Sequence, residues 1–119
     1  MTQTMDLGAL GERLAARYLK DKGYKILAAN YRLGHKEIDI IAQLGDLVVL
    51  VEVKTAASTS PVKPEEQLNS LKIRHLKRAA WLYCLEQHLN PNKLRTDLLA
   101  ISLNRAEKLA KIKHFENIF

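Results

Sequence analysis

Apolar positions first recur at helical spacing. Leu7, Leu10, Leu14 and Tyr18 line one side of a predicted helix over Leu7–Lys22. Asp6 can cap its start and Gly23 can close its end. The pattern then changes period. Tyr24–Leu33 reads as a strand, with Gly34 as a turn signal. Glu37–Gln43 and Leu47–Lys54 read as two more strands, rich in Ile and Val, around Gly45-Asp46. Thr55–Glu65, with Ser, Thr and two prolines, reads as a loop. A second helix is expected over Glu65–His88, ending before the turn Asn90-Pro91-Asn92. Asp97–Leu103 reads as a fourth strand and Lys111–Phe119 as a fifth, at an edge. The order αβββαβ(β) predicts an α/β fold, a mixed sheet flanked by helices, in a single domain over residues 1–119.

The central hairpin makes the sharpest prediction. A two-residue turn with Gly first is the type II′ pattern. With Gly45-Asp46 as that turn, opposed positions sum to 91, so Asp39 faces Glu52 and Glu37 faces Lys54. Alternation then puts positions 37, 39, 41 and 43 and their partners on one face. Directly opposed Cβ atoms lie roughly 4.5–5.5 Å apart, and like charges so placed destabilise a sheet. Plain ion pairing with Lys54 at a solvated strand end is one way to compensate. A hard divalent cation, which prefers carboxylate oxygens, is another. The rest of that strand, LVVLVEV, is apolar on both faces and reads as central and buried. Glu52 and Lys54 are charged interruptions in it, costly to bury unless paired or ligating.

Glu12 adds an independent oddity. On a wheel of ~100° per residue, Arg13, Arg17 and Lys20 share one arc. Glu12 falls on the other side, beside Ala15, Ala16 and Leu19, which aims its carboxylate toward the protein. A plain helix-start acid favoured by the macrodipole is the alternative.

Charge decides what kind of partner fits. The 119 residues hold 19 Lys+Arg against 13 Asp+Glu, a net charge of +6. A small basic domain favours polyanions, nucleic acid or an anionic surface. No apolar run approaches the roughly 18–20 residues that span a bilayer. The N-terminus MTQTMDLGALGERLA has neither the basic nor the apolar region of a secretory leader. Cys84 is the only cysteine and is expected to be a buried small hydrophobe. His35, His75, His88 and His114 match no zinc spacing, and no phosphate-loop or dinucleotide glycine motif is present. A cytoplasmic location is the expectation.

The second helix concentrates Lys72, Arg74, Lys77 and Arg78 within seven residues. Arg74, Lys77, Arg78 and Trp81 share a face at helical spacing. Such a face suits phosphate contact and stacking, or else it is simply solvated. Trp81 is expected to anchor the helix to the core. The run Arg105, Lys108, Lys111, Lys113 is expected to be solvated surface. No pattern reads base edges, so backbone or shape recognition is expected.

Gly11-Glu12 in a first helix, then EIDIIA (Glu37–Ala42), then VEVK (Val51–Lys54), resembles the YraN-like family, an uncharacterised bacterial family with the restriction-endonuclease-like fold. The Asp…Glu-x-Lys order is similar to the PD-(D/E)XK nuclease core. The set Glu12, Asp39, Glu52, Lys54 is similar to archaeal Holliday-junction resolvases. The resemblance covers about Gly8 to Ile101. It implies that Asp39 and Glu52, helped by the Val53 carbonyl, bind Mg²⁺ or Mn²⁺, with Glu12 completing the shell. Lys54 would position or activate the attacking water. Lys72 matches a lysine of the family pattern, and Arg95 and Asp97 match its Arg-x-Asp. The family's usual glycine before Glu-Ile-Asp is Lys36 here, and Ala56-Ala57 stand where an arginine usually follows. The resemblance implies a metal-dependent endonuclease-like domain acting on DNA, including branched DNA, and a homodimer. A non-catalytic nucleic-acid-binding module and a protein-interaction domain with a basic surface are the rivals.

Overall fold

The computed structural model describes residues 6–119. Residues 1–5, part of the stretch read for a leader, lie outside that range. Helix α1 (Leu7–Asp21) starts at Asp6, whose carboxylate accepts from the Ala9 N–H at 2.8 Å. It ends at Lys22 and Gly23, the latter at φ +92°. Three strands follow: β1 (Lys25–Leu33), β2 (Lys36–Leu44) and β3 (Leu47–Ala57). A 3₁₀ turn over Pro64–Gln67 precedes α2 (Ser70–Gln87). A second 3₁₀ turn (Pro91–Lys93) leads into β4 (Leu94–Asn104), and β5 (Leu109–Phe115) closes the sheet. The expected order is therefore realised, with the edge strand present.

The sheet runs β1-β2-β3-β4-β5. Only β3 and β4 are parallel, because α2 carries the chain back between them. Two expected boundaries are corrected, the first by that pairing. Thr55 to Ala57 are strand rather than loop, since they pair with Ile101 to Leu103 of β4. The second helix begins at Ser70 rather than Glu65, because the Asn69 side chain caps it by accepting from the Lys72 N–H at 2.9 Å.

Each face of the sheet buries one helix. Ala15 and Leu19 of α1 pack on Ile40, Val51, Leu99 and Ile101. Ala80 and Tyr83 of α2 pack on Leu33, Ile38, Ile41 and Leu50. Cys84 is buried in α2, as its composition suggests. Trp81 is not: 58% of it is exposed. The helix anchors itself instead through Ala79, Ala80 and Tyr83, which leaves the Trp81 side facing water.

Gly11 sets how close α1 lies to β3. A Cβ at that position would stand 1.9 Å from Thr55 Oγ1. Gly11→Ala is expected to lift the helix and cost about 1–3 kcal/mol, as overpacking does. Thr55→Ala removes the nearest obstructing atom and should recover part of that loss in urea titrations of the double variant. A single variant as stable as the parent would show that α1 is free to ride up.

Candidate active site and the cleft beside it

The hairpin turn behaves as its sequence dictates. Gly45 has φ +62° and Asp46 has no positive φ, as type II′ requires. The register from Leu44↔Leu47 to Ile40↔Val51 is the predicted one. The ladder ends there. Asp39 does not continue it; its Oδ2 accepts from the Val53 N–H at 2.8 Å. A side-chain carboxylate has replaced the backbone partner, and the strands part around it.

The neighbouring strand deforms at the same level. Asn30 of β1 lies between the pairs Ala29↔Ile40 and Tyr31↔Ile38, and has φ +50°. Asn tolerates this left-handed geometry better than most residues. Strict alternation breaks here: Ile38 and Ile41 pack under α2, whereas Ile40 and Ala42 pack under α1. The expectation that 37, 39, 41 and 43 share one face therefore fails across Asp39. The direct opposition of Glu37 and Lys54 fails with it. Glu37 pairs with Arg32 in the β1 ladder, and Lys54 Nζ meets Glu52 Oε1 at 3.4 Å.

The carboxylates nonetheless converge. Burial first, then the charge and carboxyl of Asp39, push Glu52 up to about 7, against the pull of Lys54. Glu12 is also raised, by burial and then by the charges of Asp39 and Glu37. Asn30 joins the two outer acids. With its amide nitrogen turned to them, as hydrogen-bond chemistry requires, it lies 3.1 Å from Glu12 Oε1 and 3.2 Å from Glu37 Oε1. Sequence reasoning missed Asn30. Its one signal was an asparagine inside a strand, where that residue is disfavoured.

Among the described residues, no three acidic, His or Cys side chains stand close enough to enclose a metal ion. The inner pair, Asp39 and Glu52, offers hard oxygen donors that repel each other. That chemistry fits Mg²⁺ or Mn²⁺, which are held through one or two carboxylates and retain several waters. Val53 donates its N–H to Asp39 Oδ2, which fixes one oxygen of that carboxylate.

A cleft of about 670 Å³ opens beside this pair, between the β1–β2 turn and α2. Glu37, Glu52, Lys54, Lys36 and Lys72 line it, with Leu33 and Leu76 among its apolar walls. Glu12 lines a separate cavity of about 400 Å³ with Val53, Lys54 and Thr55. Lys54 thus reaches both. The basic helix residues divide: Lys72 faces the cleft, while Arg74, Lys77 and Arg78 are exposed outside it.

The profile of the uncharacterised protein family UPF0102 matches residues 11–101. A UPF0102 protein from Alkaliphilus oremlandii is 44% identical over 115 residues, covering 95% of this chain and 97% of its own. One from Thermodesulfovibrio yellowstonii is 43% identical over 115 residues, covering 97% and 96%. One from Flavobacterium psychrophilum is 39% identical over 119 residues, covering 100% and 98%. The chain belongs to the UPF0102 family. Among solved structures, the EndoMS–dsDNA complex matches with a TM-score of 0.50 at 13% identity, over 81% of this chain. The match spans 36% of the EndoMS chain, about a third of its length. The likeness is one of fold: this UPF0102 protein has the restriction-endonuclease-like α/β architecture.

A second polar constellation in this UPF0102 chain lies on the α1 side. Asp97 is fully buried. Arg95 grips it with two hydrogen bonds of 2.8 Å and donates a third, also 2.8 Å, to the Tyr24 hydroxyl. His114 Nε2 lies 2.8 Å from Asp97 Oδ2, and its Nδ1 lies 3.2 Å from the Tyr18 hydroxyl. The Asn117 N–H donates to Asp97 Oδ1 at 3.0 Å. Arg-x-Asp here ties α1, β4, β5 and the C-terminal segment together. Among the described residues, no helix is long and apolar enough to cross a membrane.

Proposed function

We propose that this protein is a metal-dependent endonuclease-like domain that hydrolyses phosphodiesters in DNA, branched DNA included. The observation that carries the reading is the crowded Asp39–Glu52 pair beside Lys54, with Glu52 and Lys54 lining a cleft that Lys36 and Lys72 also line. Asp39 and Glu52 would hold Mg²⁺ or Mn²⁺, with the Val53 backbone beside them. Such a metal would supply Lewis-acid activation of water and would screen the phosphodiester charge. Lys54 faces the developing negative charge and orients the attacking water. Glu12 acts from the second cavity, its carboxylate tethered through Asn30. Lys72 meets the substrate phosphates across the cleft. The fold's likeness to EndoMS in complex with double-stranded DNA supports DNA as the polymer. Cutting both strands of a branched substrate calls for two copies, which a solution mass measurement checks.

The test is incubation with linear, nicked and four-way-junction DNA in Mg²⁺ or Mn²⁺. Cleavage is expected in the parent and lost at least 100-fold in both Asp39→Asn and Glu52→Gln, the size of effect expected when charge stabilisation is removed. Binding without cleavage in either metal would overturn catalysis and leave a binding module. That second reading draws on the lack of a three-acid group among the described residues.

A further inference from the structure

Helix α2 carries a basic and aromatic face that the nuclease site does not use. Trp81 is 58% exposed, and Leu85, one turn on, is 54% exposed. Arg74, Lys77 and Arg78 precede Trp81 by seven, four and three residues, so they stand on the same side of the helix. All three are exposed. Positions 84, 85 and 88, which follow Trp81 at helical spacing, are Cys, Leu and His, so no acid enters the stripe. Glu86, the nearest acid in sequence, is turned away and accepts from the Tyr31 hydroxyl. Lys77 Nζ already rests 5.7 Å from the centre of the Phe119 ring, which is itself 39% exposed.

A bare indole amid three cations selects its partner. A second copy of the same face would set Arg74, Lys77 and Arg78 against their own counterparts. A regular duplex keeps its bases stacked and offers the ring only phosphates. An unpaired strand offers both flat rings and negative charge. We propose that Trp81 is a stacking platform for an unpaired nucleotide, with Arg74, Lys77 and Arg78 holding the flanking phosphates. Lys72, in the cleft, lies nine residues earlier on the same helix, about 14 Å along its axis. One single-stranded segment could therefore contact the cleft and the outer face together. This inference deepens the nucleic-acid reading above and rests on it: the substrate is DNA with single-stranded character.

Trp81 is the only tryptophan in the chain, so intrinsic emission reports on this position alone. The full chain is titrated with end-labelled oligothymidylate, following label anisotropy and Trp81 emission in parallel. Emission should be quenched with the same midpoint as the anisotropy. Trp81→Ala should weaken binding to the oligonucleotide about 5- to 100-fold, and Trp81→Phe much less. Both should leave duplex affinity unchanged. Arg74→Ala/Lys77→Ala/Arg78→Ala should lower the slope of log affinity against log salt by about two. Unchanged emission at saturating oligonucleotide would overturn the proposal. So would emission that shifts with protein concentration alone, which would assign the face to a second copy. Quenching without cleavage of any DNA would overturn the nuclease reading and leave this one standing.

Discussion

Asp97→Ala should cost about 3–5 kcal/mol, the usual loss when one partner of a buried ion pair is removed. Asp97 has no exposed surface and takes hydrogen bonds from Arg95, His114 and the Asn117 backbone. Removing it leaves the Arg95 guanidinium with the Tyr24 hydroxyl and the more exposed Glu116, 3.6 Å away. Beside Asp97, the guanidinium is held even more firmly charged than usual, so it cannot escape by losing its proton. A domain stability of 5–15 kcal/mol leaves little after such a loss. The melting temperature should fall by roughly 15–25 °C in calorimetry. A fall under about 5 °C would show that Arg95 and the C-terminal segment re-pair elsewhere. Arg95→Leu combined with Asp97→Leu should lose less than the two single changes together, because no charge is then stranded.

Glu52→Gln should stabilise the fold at pH 8 by on the order of 2 kcal/mol, even as it abolishes the proposed chemistry. Glu52 is pushed up to about 7 in the folded protein, from an ordinary 4.5. The folded state therefore keeps a proton that the unfolded chain has already released. Its stabilising contribution is complete below pH 4.5, fades as pH rises toward 7 and is gone above that. The amide keeps the shape and removes the penalty, less what the Lys54 ion pair returned. Chemical denaturation from pH 5 to 9 should show the parent weakening through that window and the variant staying flatter. Divalent metal should restore the parent at pH 8 by binding the native state, and should leave the variant unmoved. A parent curve flat from pH 5 to 8 would refute the burial-driven rise at Glu52.

The gathering of Asp39 and Glu52 was legible because its parts are local. Gly45-Asp46 dictates a two-residue turn, and the turn counts off the register that brings Asp39 toward Glu52. Glu12 was legible because helical periodicity places it away from Arg13 and Arg17. Asn30 was not, since its role depends on a positive φ in one strand meeting a parted ladder in the next.

By itself the sequence determined the order of elements, the hairpin register and the membership of a carboxylate set, because periodicity and turn chemistry act over a few residues. Only the tertiary structure decided the rest. It ended the ladder at Ile40↔Val51, turned Trp81 to solvent, set Lys72 in the wall of the cleft, and gathered Arg95, Asp97 and His114 into one buried knot. Those outcomes turn on which side of a helix meets the sheet and on which distant polar groups can satisfy one another. Such choices are made by packing and by the cost of burying an unpaired charge, and neither is written in any short stretch of chain.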